Sequence, residues 1–137
     1  MENFIISTDR DRLDIPMIHQ FLSERSYWAK GRSLETVQAS IANSLCFGVY
    51  DNFGKQLGFA RVSTDYAIFA WLMDVFILED YRGKGLGKLL IKEVTEHPAL
   101  KNIRRIGLAT ADAHGLYQQY GFTGLSKPQN MMEILRT

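Results

Sequence analysis

The chain has 137 residues, a length that suits one domain, expected over residues 1–137, with a substantial hydrophobic core. Its hydrophobic content of 46% indicates a folded globule, and its formal net charge of +1 argues against nucleic acid or a membrane surface as a general partner. No apolar run is long enough to cross a membrane and no secretory signal begins the chain, so we expect a cytoplasmic protein.

The first half of the chain predicts one strand, two helices and a hairpin. Phe4–Ser7 is a short apolar run typical of a strand. Asp14 and Ser33 can each cap a helix that continues with one apolar face. Apolar runs on both sides of the turn-forming segment 51–55 predict a β-hairpin. The single cysteine, Cys46, lies in the first of these runs, which favours burial over reactivity and excludes an internal disulfide.

The second half predicts strands that alternate with helices. Trp71–Leu78 is apolar nearly throughout, as a central strand would be, and an amphipathic helix begins near Leu86. After this helix the pattern predicts a strand, a short helix, a short additional strand and a last strand, over Ile103–Thr110, Ala113–Tyr120, Phe122–Leu125 and Met131–Leu135. This order indicates a mixed α/β fold in which antiparallel strands come first and a β-α-β crossover follows.

The segment Arg82–Gly87 joins the central strand to the amphipathic helix and reads Arg-Gly-Lys-Gly-Leu-Gly. Glycines at a helix N-terminus expose several backbone N–H groups, which together with the helix dipole favour a phosphate group. Arg82, Lys84 and Lys88 add positive charge. A Walker loop and a dinucleotide fingerprint are excluded, because Leu89 and Lys88 stand where Ser/Thr and glycine are required. The loop therefore predicts a phosphate site, against the alternative of a purely structural loop.

Two segments together resemble motifs of the GNAT N-acetyltransferase superfamily. VFILEDYRGKGLGKLLI, over 75–91, is similar to the family's acetyl-CoA signature, and DAHGLYQQYGF, over 112–122, is similar to its A-x-x-L-Y-x-x-x-G-F segment. The sequence departs from the family pattern at Glu79 and Thr110, where proline and asparagine are frequent. The resemblance covers nearly the whole chain and implies an α/β fold with a mixed, mostly antiparallel sheet of six or seven strands flanked by four helices.

The resemblance also implies an activity and a set of residues for its co-substrate. The expected reaction is acetyl transfer from acetyl-CoA to a primary amine of a small molecule or peptide, by direct attack on the thioester. The splayed end of the central strand would pair with the pantetheine, its backbone near Phe76 would polarise the thioester carbonyl, and the glycine loop would bind the pyrophosphate. These residues are Phe76, Ile77, Leu78, Arg82, Gly83, Lys84, Gly85, Leu86, Gly87 and Lys88.

Two side chains are candidates for the proton transfers. By resemblance, Tyr117 would protonate the leaving thiolate, and a phenol with a pKa of about 10 stays protonated at neutral pH. Asp74 is a candidate general base for the amine, because a charged residue in an apolar central strand is rare unless it is paired or functional. The alternatives are a structural ion pair between Asp74 and Arg61 and a water relay as the base. No metal site is suggested.

The aromatic residues Tyr27, Trp28 and Tyr66 are expected to frame the acceptor, and such a wall suits a partly apolar or cationic amine. For Phe69 and Trp71 core packing is at least as good an interpretation. The resemblance leaves a homodimer open. The alternatives to an enzyme are a non-catalytic acyl-CoA-binding sensor or interaction module and a regulatory domain that binds phosphate or a nucleotide.

Overall fold

The computed structural model describes residues 3–136 and contains one five-stranded sheet. The strands follow each other in the sheet in chain order, as β1 Ile5–Ser7, β2 Leu45–Tyr50, β3 Gln56–Thr64, β4 Phe69–Ile77 and β5 Arg105–Leu108. Adjacent strands from β1 to β4 are antiparallel to each other, whereas β5 is parallel to β4. The predicted mixed fold and its β-α-β crossover are confirmed.

Four α-helices accompany the sheet, namely α1 Ile15–Gln20, α2 Leu34–Ala42, α3 Leu86–Glu96 and α4 His114–Gln118. The predicted caps are present, because the Asp14 and Ser33 side chains accept the backbone N–H groups of Met17 and Thr36. A π-helical turn over Phe21–Arg25 continues α1. Within residues 3–136, every helix is too short or too polar to span a bilayer.

The sheet has a hydrophobic cluster on each face. On one face α3 buries Leu90 and Val94 against strand residues such as Leu72. On the other face α1 and α2 pack Ile18 and their other apolar residues against the sheet. Cys46 belongs to this second cluster with 2% of its surface exposed, and burial raises the pKa of its thiol to about 11, so it remains a protonated core residue.

A β-bulge interrupts β4. Phe59 of β3 pairs with Phe76 and Arg61 pairs with Met73, so two residues of β4 lie opposite one residue of β3. Asp74 takes a left-handed backbone conformation there, with φ of 56°. Strand alternation therefore changes phase at the bulge. The α3 face receives Ala70 and Leu72 before it and Val75 and Ile77 after it.

The predicted sixth and seventh strands do not form. Neither Phe122–Leu125 nor Met131–Leu135 is a strand, and Met132, Ile134 and Leu135 are exposed by 95%, 79% and 79%. An apolar pattern reports a preference for burial, but a strand also needs a neighbour with which to exchange hydrogen bonds. The prediction of six or seven strands is wrong for this reason, and β5 is the last strand of the sheet among residues 3–136.

Candidate active site

A cleft opens where β4 and β5 separate. Their parallel pairing ends at Leu72 and Leu108, while the pairing of β4 with β3 continues to Ile77. The β5-facing edge of segment 73–77 therefore keeps backbone N–H and C=O groups that β5 does not use. The cleft has a volume of about 690 Å³. Its shape and its unpaired strand edge suit an extended ligand.

The glycine loop forms one end of this cleft. Gly83 and Gly85 have φ of 82° and 80°, a conformation that favours glycine, and the space that a Cβ would occupy is open at both positions. Gly85 is the N-cap of α3 and offers no side-chain oxygen to the first helical N–H groups. Arg82 Nε donates to the Ile77 carbonyl at 3.0 Å, which ties the base of the loop to the end of β4.

The structure brings together most of the residues predicted to bind the co-substrate. The cleft is lined by Phe76, Ile77, Arg82, Gly83, Gly85, Leu86, Gly87 and Lys88. Leu78 and Lys84 are not among its lining residues, and Leu78 packs instead against the core on the α1 and α2 face. The Phe76 ring is also committed to the core, since it stacks on Phe21 at 4.0 Å with an interplanar angle of 9°.

Tyr117 reaches the same cleft from α4. Its side chain is 8% exposed and packs edge-on against Phe122. Burial is the main reason that the pKa of Tyr117 is raised to about 12, and the nearby Tyr27 and Asp112 contribute to this rise. The phenol is therefore a hydrogen-bond donor throughout the physiological pH range.

Asp74 makes the predicted ion pair with Arg61 and two further contacts. Arg61 Nε and Arg32 Nη1 donate to its Oδ2 at 2.9 and 2.8 Å, and Trp28 Nε1 donates to its Oδ1 at 3.0 Å. The carboxylate side chain is 2% exposed, and Asp74 is not among the residues that line the cleft. The contacts to Arg32 and Trp28 span 42 and 46 positions and had no signal in the sequence.

Tyr27 and Trp28 line the cleft, but Tyr66 does not. Tyr66 lies in the turn before β4, whereas the cleft lies at the far end of this strand, roughly 27 Å away for nine extended residues. In an antiparallel hairpin the turn lies at one end of the strands and the open end lies at the other. The expectation that Tyr66 lies with Tyr27 and Trp28 is therefore corrected.

Phe69 and Trp71 also lie near the start of β4. Their rings stack at 6.2 Å and border a second hollow of about 730 Å³ beside β5. Asp65 binds three backbone N–H groups of its own turn, which lowers the pKa of its carboxyl group and marks a structural role. Glu79 forms an exposed ion pair with Arg25. Among residues 3–136, no three acidic, histidine or cysteine side chains are grouped as metal ligands.

A protein-family model described as the acetyltransferase (GNAT) family matches residues 15–122. The crystal structure of a protein from Xanthomonas campestris pv. campestris, described as belonging to the GNAT family, is 49% identical. It has a TM-score of 0.95 over 99% of this chain and 95% of that chain. The uncharacterised N-acetyltransferase ycf52-like of Prochlorococcus marinus is 34% identical over 125 residues, which are 88% of this chain and 68% of the relative.

A more distant structure shares the fold alone. Rv2747 from Mycobacterium tuberculosis, solved in complex with CoA and NLQ, is 16% identical with a TM-score of 0.71 over 89% of this chain and 73% of that chain.

Proposed function

This chain belongs to the acetyltransferase (GNAT) family, and on that basis we propose that it transfers an acetyl group from acetyl-CoA to the primary amine of a small molecule or peptide. The observation that carries the proposal is a single cleft lined by the glycine loop, the unpaired end of β4 and Tyr117. In the reaction the amine nitrogen bonds to the thioester carbonyl carbon, and the C–S bond breaks with its electron pair on sulfur. The nitrogen loses one proton and the thiolate gains one.

The glycine loop is the proposed site of the pyrophosphate. Gly83 and Gly85 have left-handed backbone conformations, and directly after them the start of α3 contributes its first N–H groups and its dipole. Arg82 and Lys88 supply positive charge beside these donors. A side chain at position 83 or 85 would occupy the space that the phosphates need, which agrees with the open space found there.

The unpaired edge of segment 73–77 is the proposed site of the pantetheine. Its amide and carbonyl groups match an extended ligand arm that carries amides of its own. A backbone N–H in this segment, near Phe76, would donate to the thioester oxygen as negative charge develops there. Because Phe76 is held by its stacking on Phe21, this donor has a fixed position before the reaction begins.

Tyr117 is the proposed donor to the leaving sulfur. Its pKa of about 12 lies well above the value of about 8.5 for an ordinary thiol, so complete proton transfer from the phenol would be uphill. We therefore assign it a hydrogen bond that stabilises the developing thiolate, and the thiolate then takes up the proton that the amine nitrogen releases. A phenol that stays protonated at every physiological pH suits this role.

The contacts of Asp74 favour a water relay as the base. Both of its oxygens are engaged by Trp28, Arg32 and Arg61, and the residue does not line the cleft. A base must lie within hydrogen-bond reach of the proton it removes, directly or through one water. On the acceptor side, the rings of Tyr27 and Trp28 would contact an apolar or cationic amine.

Two measurements test this proposal. Incubation with acetyl-CoA and a panel of primary amines, with free thiol as the readout, should show release above background for at least one amine. Calorimetry should show that CoA binds without any amine. Absence of both would sink the proposal, whereas CoA binding and thermal stabilisation without turnover on any amine would support a non-catalytic acyl-CoA sensor instead. Stabilisation by ATP and not by CoA would support a nucleotide-binding domain.

A further inference from the structure

Residues 26–32, here named the strap, connect the π-helical turn to α2 and bind both β4 and the segment that follows β5. On one side Trp28 Nε1 and Arg32 Nη1 donate to the two oxygens of Asp74 in β4, at 3.0 and 2.8 Å. On the other side Tyr27 Oη accepts the backbone N–H of Ala111, which follows β5, at 3.1 Å. Two consecutive aromatic residues therefore bridge the cleft.

The strap is also fixed from below. Ser26 is 1% exposed, and its hydroxyl donates to the Leu22 carbonyl at 2.6 Å and accepts the Ala29 N–H at 3.0 Å. The Gly31 N–H donates to the Ser23 carbonyl at 3.0 Å. These bonds make the strap a connected unit, so that a displacement at one of its two anchors is transmitted to the other.

Asp74 occupies a costly position that the strap explains. The left-handed region is unfavourable for a residue that carries a side chain, although aspartate tolerates it better than most, and Asp74 is held there with φ of 56° at the bulge. The bulge turns its carboxylate toward Trp28 and Arg32, while Arg61 of β3 holds it from the sheet. The guanidinium groups of Arg32 and Arg61 therefore share the one carboxylate of Asp74.

The second anchor leads to Tyr117. Ala111 stands just before α4, the helix that carries Tyr117. The Thr110 hydroxyl accepts the N–H of Ala113, so the segment before α4 is bound by Thr110 as well as by Tyr27. Tyr27 is close enough to Tyr117 to raise the pKa of its phenol.

We infer that Asp74 is a positioning residue that acts through the strap: it fixes Trp28 and Arg32, and the strap's Tyr27 fixes the start of α4 so that the Tyr117 hydroxyl keeps its place in the cleft. The kinetic consequence rests on the proposed function. The mechanical link between Asp74, the strap and α4 does not, and it has a readout of its own.

Fluorescence measures the link without any substrate. The chain has two tryptophans, Trp28 and Trp71, so Trp71→Phe leaves Trp28 as the reporter of the strap. In this background Asp74→Ala should shift the emission to the red and raise the acrylamide quenching constant. Asp74→Asn, which keeps one side-chain oxygen and tolerates a positive φ, should shift it less. Lys30→Ala, at an exposed strap position, is the matched control. Unchanged Trp28 emission in a folded Asp74→Ala protein would overturn the inference.

Hydrogen exchange measures the second anchor. Tyr27→Phe removes only the hydroxyl that accepts the Ala111 N–H, so this amide should exchange faster. Faster exchange should also follow from Asp74→Ala, because the link runs through the strap. Exchange at Ala111 that responds to Tyr27→Phe but not to Asp74→Ala would refute the link.

Kinetics on an accepted amine separate positioning from base catalysis. Asp74→Asn and Tyr27→Phe should each lower kcat about tenfold or more, and the double variant should lose little beyond the larger single loss. The acidic limb of the pH profile of kcat/KM should persist in Asp74→Asn. Loss of that limb with Trp28 emission unchanged would instead identify Asp74 as the base. If no amine is accepted, the proposed function fails, while the fluorescence and exchange results still decide the link.

Discussion

Two parts of the cleft differ in kind: backbone groups form the part at the glycine loop, and side chains form the part at the strap. The glycine loop Arg82–Gly87 forms its surface from N–H groups, in a conformation fixed by neighbours in the sequence. The strap presents Tyr27 and Trp28, whose positions depend on partners 84 and 46 residues away. The proposed co-substrate can be bound by local backbone geometry. The proposed amine site at Tyr27 and Trp28 depends instead on contacts between residues that are distant in the sequence.

We expect the largest effect from Gly85→Asp, which tests CoA binding at the glycine loop. The new side chain and its negative charge would enter the space proposed for the phosphates, so CoA affinity should fall about 100-fold or more. Gly54→Asp is the matched control, because Gly54 has a similar φ of 83° and open space around it but is not among the residues that line the cleft. Calorimetry on both variants checks this. Retained CoA affinity in Gly85→Asp would refute the placement of the phosphates.

Between the two sides, Tyr117→Phe tests the proposed donor to sulfur. Loss of the hydroxyl should lower kcat about 100-fold, while CoA affinity stays nearly constant. Tyr120→Phe, one turn along and half-buried, should change neither quantity. Steady-state kinetics with an accepted amine and CoA calorimetry provide the measurements. Equal losses in the two variants would assign the effect to packing in this region.

Burial of Tyr117 also has a stability consequence at high pH. Its folded pKa of about 12 exceeds the unfolded value of about 10, so folding binds this proton more tightly. The stabilisation is complete below pH 10 and is lost as the pH rises from 10 to 12, and it amounts to about 3 kcal/mol. Urea unfolding at pH 8 and pH 11 should show a smaller decline for Tyr117→Phe than for the parent. Equal declines would contradict the raised pKa.

The smallest expected effect is at Gly107, a glycine that close packing requires. At Gly107 the reason is close approach, since a Cβ there would lie 2.4 Å from the Trp71 ring. Gly107→Ala should therefore cost about 1 kcal/mol as the half-exposed ring moves aside. Gly124→Ala, where the space is open, is the control. Thermal unfolding of both variants measures the difference. A stability loss in Gly124→Ala and none in Gly107→Ala would contradict the packing argument.

The sequence predicted what local signals encode. The caps at Asp14 and Ser33 and the course of the chain through β5 agree with the structure to within a few residues. The glycine loop was found because a strand, a run of glycines and an amphipathic helix are all short-range patterns. Tyr117 came from a resemblance between motifs, and the structure places it in the same cleft as the loop.

Long-range contacts account for what the sequence did not predict. Nothing near Asp74 indicated Trp28 or Arg32 as partners, although the pairing with Arg61 was foreseeable from the neighbouring strand. The order of elements along the chain predicts Tyr66 near the cleft, but the direction of β4 places Tyr66 at the other end of that strand. The Met131–Leu135 segment has the composition of a strand, but composition does not supply a partner.

The bulge in β4 depends on one extra residue, so the deletion of a single codon can remove it. Asp74 is the supernumerary residue of the strand, since without it Val75 would face Ala60 and the pairs on both sides would join in one regular ladder. Every apolar residue of β4 would keep its present face. A three-base deletion at this codon would therefore remove the anchor of the strap and keep the apolar residues of β4 in register with the core, so this anchor can be gained or lost by a change of one residue.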